Sequence, residues 1–238
     1  MIGQQPPEHL PGQAPAQRLG VFAKYWEPGK VKTRLATSLG DAKTARIYQG
    51  FVAATIARLT TIDAGRVLAY SPADGQTRAA FQGVDIGGWS LAPQGAGDLG
   101  QRMAAYFDQQ FRAGAERVVL LGTDSPNVPL VEVQEAFEHL KTADVVLGPT
   151  EDGGYYLVGA ARQTPPIFDN IPWSTVEVLS ATRACLEQAG ISYTTLDPWY
   201  DVDEIFDLHR LLEDLRDESK AEPALDVLLK HVLEVIDE

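Results

Sequence analysis

After its leading arginine, the segment RVVLLG, residues 117–122, is a run of apolar and small residues with no alternation. A strand of that kind is buried on both faces, as happens in a sheet covered by helices on both sides. Comparable short runs recur at Leu19–Ala23, Arg66–Tyr70, Asp144–Gly148, Tyr155–Gly159 and Ile191–Leu196, with a shorter strand around Trp89–Leu91. Between them the apolar period changes to that of a helix. Asp41 is expected to cap a helix carrying Tyr48, Phe51, Val52, Leu59 and Ile62. Asp98 is expected to cap one with Leu99, Met103, Tyr106, Phe107 and Phe111 on a single face. Pro129 suits the first position of a helix bearing Leu130, Val133, Phe137 and Leu140. Ser174-Thr175-Val176-Glu177 reads as a capping box for a helix that runs to about Gln188 and stops at Gly190. Two further helices follow, one bearing Ile205, Leu208, Leu212 and Leu215, the other starting near Pro223. The glycine-rich stretch Gly83–Gly100 resists assignment beyond its short strand. This alternation predicts an α/β fold, a three-layer α/β/α sandwich on a mostly parallel mixed sheet.

Such a sheet binds its ligand outside the carboxyl ends of the strands, where the strand order reverses. The loops that follow strands therefore carry the functional reading. In the first, Lys24, Lys30, Lys32 and Arg34 gather around Pro28-Gly29 with only Glu27 opposing them, in a chain of formal net charge -13. A cation cluster in an acidic protein is what a phosphate-bearing small molecule requires. An ordinary solvated loop explains the charges equally well. GxxxxGK[ST] and GxGxxG are both absent, so phosphate binding would rest on cationic side chains more than on a glycine-lined backbone.

Gly122-Thr123-Asp124-Ser125-Pro126 follows the central strand. A carboxylate there could hold a hard cation, Mg2+ or Mn2+, which takes one or two carboxylates and shares its sphere with water and substrate phosphates. The competing reading, that Asp124 or Ser125 caps the helix at Pro129, is less favoured by position. In Trp199-Tyr200-Asp201-Val202-Asp203, alternation puts Asp201 and Asp203 on one side of an extended segment. The pair suits a second metal contact or the positioning of a nucleophile. A helix cap by Asp203, with Asp201 on the surface, fits as well. In Gly148–Tyr155, Gly153 and Gly154 allow close approach of backbone to ligand, and Asp152 could take a proton from a hydroxyl. A tight turn accounts for the same glycines. His9, His139, His209 and His231 lie in the tail or within helices and receive no catalytic role.

At 238 residues the chain suits one large domain over 18–238, preceded by a Pro-, Gln- and Gly-rich tail over 1–17 expected to be disordered. That tail lacks the basic start and apolar centre of a secretory signal. No apolar run approaches the roughly 18 residues of a membrane span. The lone Cys185 excludes an internal disulfide and a cysteine-rich metal site, and it reads as a small core residue. A pI near 4.7 argues against nucleic acid or an anionic membrane as partner. The expectation is a cytoplasmic protein; oligomeric state is left open.

Several motifs then combine in order. Phe22-Ala23-Lys24 with Pro28-Gly29-Lys30-Val31-Lys32-Thr33-Arg34-Leu35 resembles the opening signature of a bacterial family of GT-A-fold, glycosyltransferase-like proteins (DUF2064-type, of the nucleotide-diphospho-sugar transferase superfamily). Gln94-Gly95, Gly97–Gly100, Arg102-Met103, Gly122–Pro126, Gly148-Pro149, Asp152–Leu157, Trp173–Thr175 and Asp201–Asp203 resemble its later blocks. Trp26 stands where that family has a proline, and Glu204–Asp207 replaces its Thr-Pro-Glu-Asp. The resemblance implies a nucleotide-diphosphate-sugar donor and a bridging divalent metal. It places Lys24, Lys32 and Arg34 at the phosphates, Phe22 and Ala23 along the donor, and Asp98 and Arg102 near its base or ribose. Gly153 and Gly154 lie along the substrate. Asp124 takes the metal, with Asp203 or Asp201 as second contact, and Asp152 is the general base. The implied activity is glycosyl transfer to a small-molecule acceptor. The rivals are nucleotidyl transfer from a nucleoside triphosphate with release of pyrophosphate, against which the single loop glycine Gly29 leans mildly, and a non-catalytic nucleotide-binding module.

Overall fold

The structure is a computed structural model that describes residues 16–218 and 222–238. From the N-terminus the elements are β1 (Gln17–Lys24), α1 (Thr33–Leu39), α2 (Asp41–Leu59), β2 (Gly65–Ser71), α3 (Gly75–Gln82), β3 (Trp89–Pro93), α4 (Leu99–Arg112) and β4 (Arg117–Leu121). There follow α5 (Leu130–His139), β5 (Val145–Pro149), β6 (Tyr155–Ala161), α6 (Val178–Ala189), β7 (Tyr193–Thr195), α7 (Ile205–Glu218) and α8 (Pro223–Asp237). The tail expected over 1–17 lies outside the described residues apart from Ala16 and Gln17, and Gln17 already opens β1.

The strands form one sheet in the order β3-β2-β1-β4-β6-β5-β7, parallel except for β6, which runs antiparallel to both β4 and β5. Alternation within the strands splits the core in two. Val21, Leu68, Val119 and Leu121 point to the face covered by α2, α5, α7 and α8, with α1 and α3 at its margin. Val67, Ala69, Val118 and Leu120 point to the face covered by α4 and α6. Three α/β/α layers result. Among the described residues no helix is long and apolar enough to cross a membrane.

The strand order reverses between β1 and β4, since β2 lies on one side of that pair and β6 on the other. β1 and β4 end at the same edge, and β6, running the other way, begins there. Close packing holds this junction. The Tyr106 ring of α4 lies against Gly20, where an added Cβ would stand 2.3 Å from Tyr106 Oη. The ring is confined by Phe22 and Phe107, at 5.6 and 6.1 Å between centroids. Gly20→Ala is therefore expected to destabilise the fold by about 1–3 kcal/mol through overpacking. Thermal unfolding checks this, at roughly 2–4 °C per kcal/mol for a chain of this size; an unshifted midpoint would show that the ring can move.

Several local expectations need correction. The basic loop ends in a helix, α1, of seven residues without a side-chain cap, too short to show a period. α3, capped by Asp74, is likewise too short to show a helical period in the sequence. Asp41 is the first residue of α2 and Gly40 its cap; Pro129 caps α5 rather than starting it. No capping box forms at Ser174–Glu177: α6 begins at Val178, and Glu177 caps it without a side-chain bond. Thr175 Oγ1 instead donates to Pro172 O at 2.8 Å, a local turn that competes with the helix. The capping box that does form pairs Asp98 with Gln101. Trp26, the departure from proline, packs its ring 5.0 Å from Phe81.

Candidate active site

At the sheet's strand-order reversal opens a cleft of about 760 Å³. Such a volume is typical of small-molecule sites. One wall is the segment after β1. Lys32 is the pivot of that wall: its backbone is left-handed, with φ 45°, and its side chain is only 5% exposed. Its ammonium donates to Asp203 Oδ1 at 2.7 Å and also pairs with Asp124. Burial by itself would lower the Lys32 pKa, but the charges of Asp124 and Asp203 outweigh it and hold the group above its ordinary value. Arg34, largely exposed, lies 4.0 Å from the second oxygen of Asp203. Lys24 lines the cleft, but its ammonium is tied back to Lys30 O at 2.6 Å.

The opposite wall comes from the segments after β4 and β7. Asp124 and Asp203 are about half exposed and face the cleft. Neither acts as a helix cap. α5 has no side-chain cap bond, and Asp207 rather than Asp203 accepts from the backbone at the start of α7. Ser125 donates its hydroxyl to Asp201 at 2.5 Å. Val202 N donates to Asp124 O at 2.8 Å, which pins the Asp201–Asp203 segment beside β4. Burial, and after it the charge of Asp124, pushes the Asp201 carboxyl up to about 7. A carboxyl raised in this way binds its proton more tightly folded than unfolded. Its contribution to stability is thus expected to fall as pH rises from about 4, the unfolded value, to about 7. Denaturation of the metal-free protein and of Asp201→Asn between those pH values checks this; equal slopes would remove Asp201 as the cause.

Asp152 sits in the turn before β6, where its Oδ1 accepts from Thr150 Oγ1 at 2.5 Å and from Gly154 N at 3.1 Å. It lines the cleft with Phe22, Ala23, Gly154 and Arg102. Two residues expected at the substrate do not line it. Asp98 uses its carboxylate to cap α4, accepting from Gln101 N at 2.9 Å. Gly153 turns against the chain, where a Cβ would meet Val176 O at 2.3 Å.

One participant escaped sequence reasoning. Tyr48 fits the apolar period of α2, and its hydroxyl is invisible to that pattern. Buried beneath the cleft, it accepts from Lys24 N at 3.1 Å and shares a 2.8 Å bond with Thr123 Oγ1. It thereby ties the end of β1 to the Asp124 segment. Burial, then the nearby Asp124 charge, pushes its pKa up to about 12, so it stays a neutral hydroxyl.

Among the described residues no three His, Cys, Asp or Glu side chains form a complete metal cage. The oxygen donors present still fit a hard divalent ion of the kind held by one or two carboxylates, water and substrate phosphates. Two half-exposed carboxylates, Asp124 and Asp203, open on the cleft beside a third, Asp201, whose carboxyl is raised first by burial and then by the Asp124 charge.

A family model described as "Uncharacterized protein conserved in bacteria (DUF2064)" matches residues 55–175. A Desulfovibrio desulfuricans protein described as a "putative nucleotide-diphospho-sugar transferase" is similar in structure, with TM-score 0.85 and 33% identity over 93% of this chain and 97% of that one. A cytidylyltransferase from Leptospira borgpetersenii has TM-score 0.55 at 14% identity, covering 93% of this chain and 96% of that one. A CMP:2-keto-3-deoxy-manno-octonic acid synthetase complexed with CTP has TM-score 0.52 at 13% identity, covering 85% and 99%. The last two share the fold alone. Comparison with curated protein sequences returned no match.

Proposed function

The chain belongs to the bacterial family DUF2064, and we propose that it is a nucleotide-utilising transferase that moves a glycosyl group from a nucleotide-diphosphate sugar to the hydroxyl of a small acceptor. The observation that carries this reading is the convergence of Lys32 with Asp124, Asp201 and Asp203 in one cleft at the strand-order reversal. A buried cation held against carboxylates is poised to exchange partners with an incoming diphosphate.

In the reaction the bond between the sugar carbon and the diphosphate oxygen breaks, and its electron pair stays with the diphosphate. Lys32 and Arg34 stabilise the charge that develops there, with Lys24 at the margin. The acceptor oxygen forms the new bond to the sugar carbon, and its proton passes to Asp152. Thr150 and Gly154 orient Asp152 through Oδ1, which leaves Oδ2 for the acceptor. Mg2+ or Mn2+, held by Asp124 with Asp203 or Asp201, would add positive charge against the leaving diphosphate.

The test is product analysis with a panel of nucleotide sugars and nucleoside triphosphates, Mn2+ and varied hydroxyl acceptors. Nucleoside diphosphate released from a nucleotide sugar is the expected result. Pyrophosphate released from a triphosphate would replace glycosyl by nucleotidyl transfer, and binding without turnover would make the chain a binding module.

A further inference from the structure

We propose that the acceptor is an alcohol with an apolar body, which lies on a shelf of Leu99, Tyr155, Trp173 and Val176 and presents its hydroxyl to Asp152. This rests on the transferase reading above. Among the described residues, Leu99 at 44% and Val176 at 76% are two of the few large apolar side chains left exposed, and both line the cleft. Apolar surface gathered in a cleft gains by being covered.

The shelf is a built feature. The Trp173 ring meets Tyr155 edge-on, 6.2 Å between centroids at 85°. It reaches the start of α4 because Gly100 has no side chain; a Cβ there would stand 2.5 Å from Trp173 Nε1. The shelf is also fixed to the proposed base. Leu179 N donates to Gly153 O at 2.8 Å, and the Val176 backbone presses on Gly153, so the segment carrying Val176 is fastened to the Asp152 turn. A molecule whose apolar body covers Val176 and Trp173 therefore lies beside the Asp152 turn, to which its hydroxyl can be presented. The donor diphosphate belongs between the Lys32 wall and the Asp124–Asp203 wall of the same cleft. A fully polar acceptor would leave the shelf wet and gain nothing from it.

Glucose and its ethyl, butyl and hexyl glucosides serve as graded probes. Their binding to the full chain is measured by calorimetry and by Trp fluorescence. Affinity is expected to rise by up to about fourfold per methylene that the shelf covers, and Val176→Asp is expected to flatten the series. Val176 is largely exposed, so the variant should fold, and unchanged nucleoside diphosphate binding confirms that it has. Equal affinity across the series, a series unchanged in Val176→Asp, or competitive displacement of hexyl glucoside by a nucleoside would each overturn the shelf. Nucleoside diphosphate binding by the unmodified protein is read separately. Its absence overturns the transferase reading and the shelf with it; its presence without a chain-length effect overturns the shelf alone.

Discussion

Lys32→Ala lowers turnover by about 10²–10³-fold and weakens nucleoside diphosphate binding far more than nucleoside binding. The magnitude is that of removing one preorganised donor from a developing anion. The structural reason is that Lys32 is placed at a cost. Holding a lysine in the left-handed region costs on the order of 1–2 kcal/mol, and its side chain is 5% exposed against two carboxylates. A residue so constrained persists where its surroundings hold it, and such positions concentrate at functional sites. The fold should survive the change, because Asp124 and Asp203 are half exposed and can hydrate once the ammonium is gone. That separates them from a fully buried pair, whose disruption costs about 3–5 kcal/mol. Lys32→Met, which keeps the apolar stem, should show the same selective loss. Calorimetry with a nucleoside and its diphosphate decides the matter. Equal losses for the two ligands would show that Lys32 does not meet phosphate.

Asp124→Asn abolishes metal-dependent nucleotide binding while leaving the metal-free melting temperature nearly unchanged. Lys32 keeps Asp203 as partner, at 2.7 Å, so its charge is not orphaned. Asp201 loses a repulsive neighbour, since the charge of Asp124 ranks next to burial in raising its carboxyl. Both consequences oppose any loss of stability. The functional loss is large because a divalent ion here has few protein ligands and depends on each. The measurement is thermal unfolding with nucleotide diphosphate and Mg2+ or Mn2+. Ligand at 100 times its Kd should stabilise the native protein by about 2.7 kcal/mol, and the variant should show no metal-dependent rise. Full-strength binding by Asp124→Asn would refute the metal role.

Legibility of the fold followed the range of the interaction involved. The β4 run and the Asp98 cap of α4 are written in neighbouring residues, and both form where expected. The left-handed stop at Gly190 does too. The four-residue signal at Ser174–Glu177 failed because Thr175 turns back on Pro172 O, and the helix that follows is fastened to a distant neighbour, the Asp152 turn, through Leu179 N and Gly153 O. Leu99 fits the apolar period of α4 yet stays 44% exposed, because the face it shares with Met103 runs out over the cleft.

The sequence alone determined most of the strands and the longer helices, since caps, turns and periodic apolar positions act over a few residues, while the short α1 and α3 left no such period. It also marked the cation cluster and the carboxylates as departures from the pattern around them. Only the tertiary structure decided that β6 enters between β4 and β5 against the direction of the sheet. It alone decided that Lys32 meets a carboxylate 171 positions away, and that Tyr48 joins two strand ends through its hydroxyl. Those outcomes depend on how the layers close over one another, and a long-range ion pair or a shared hydroxyl leaves no periodic trace in the chain that forms it.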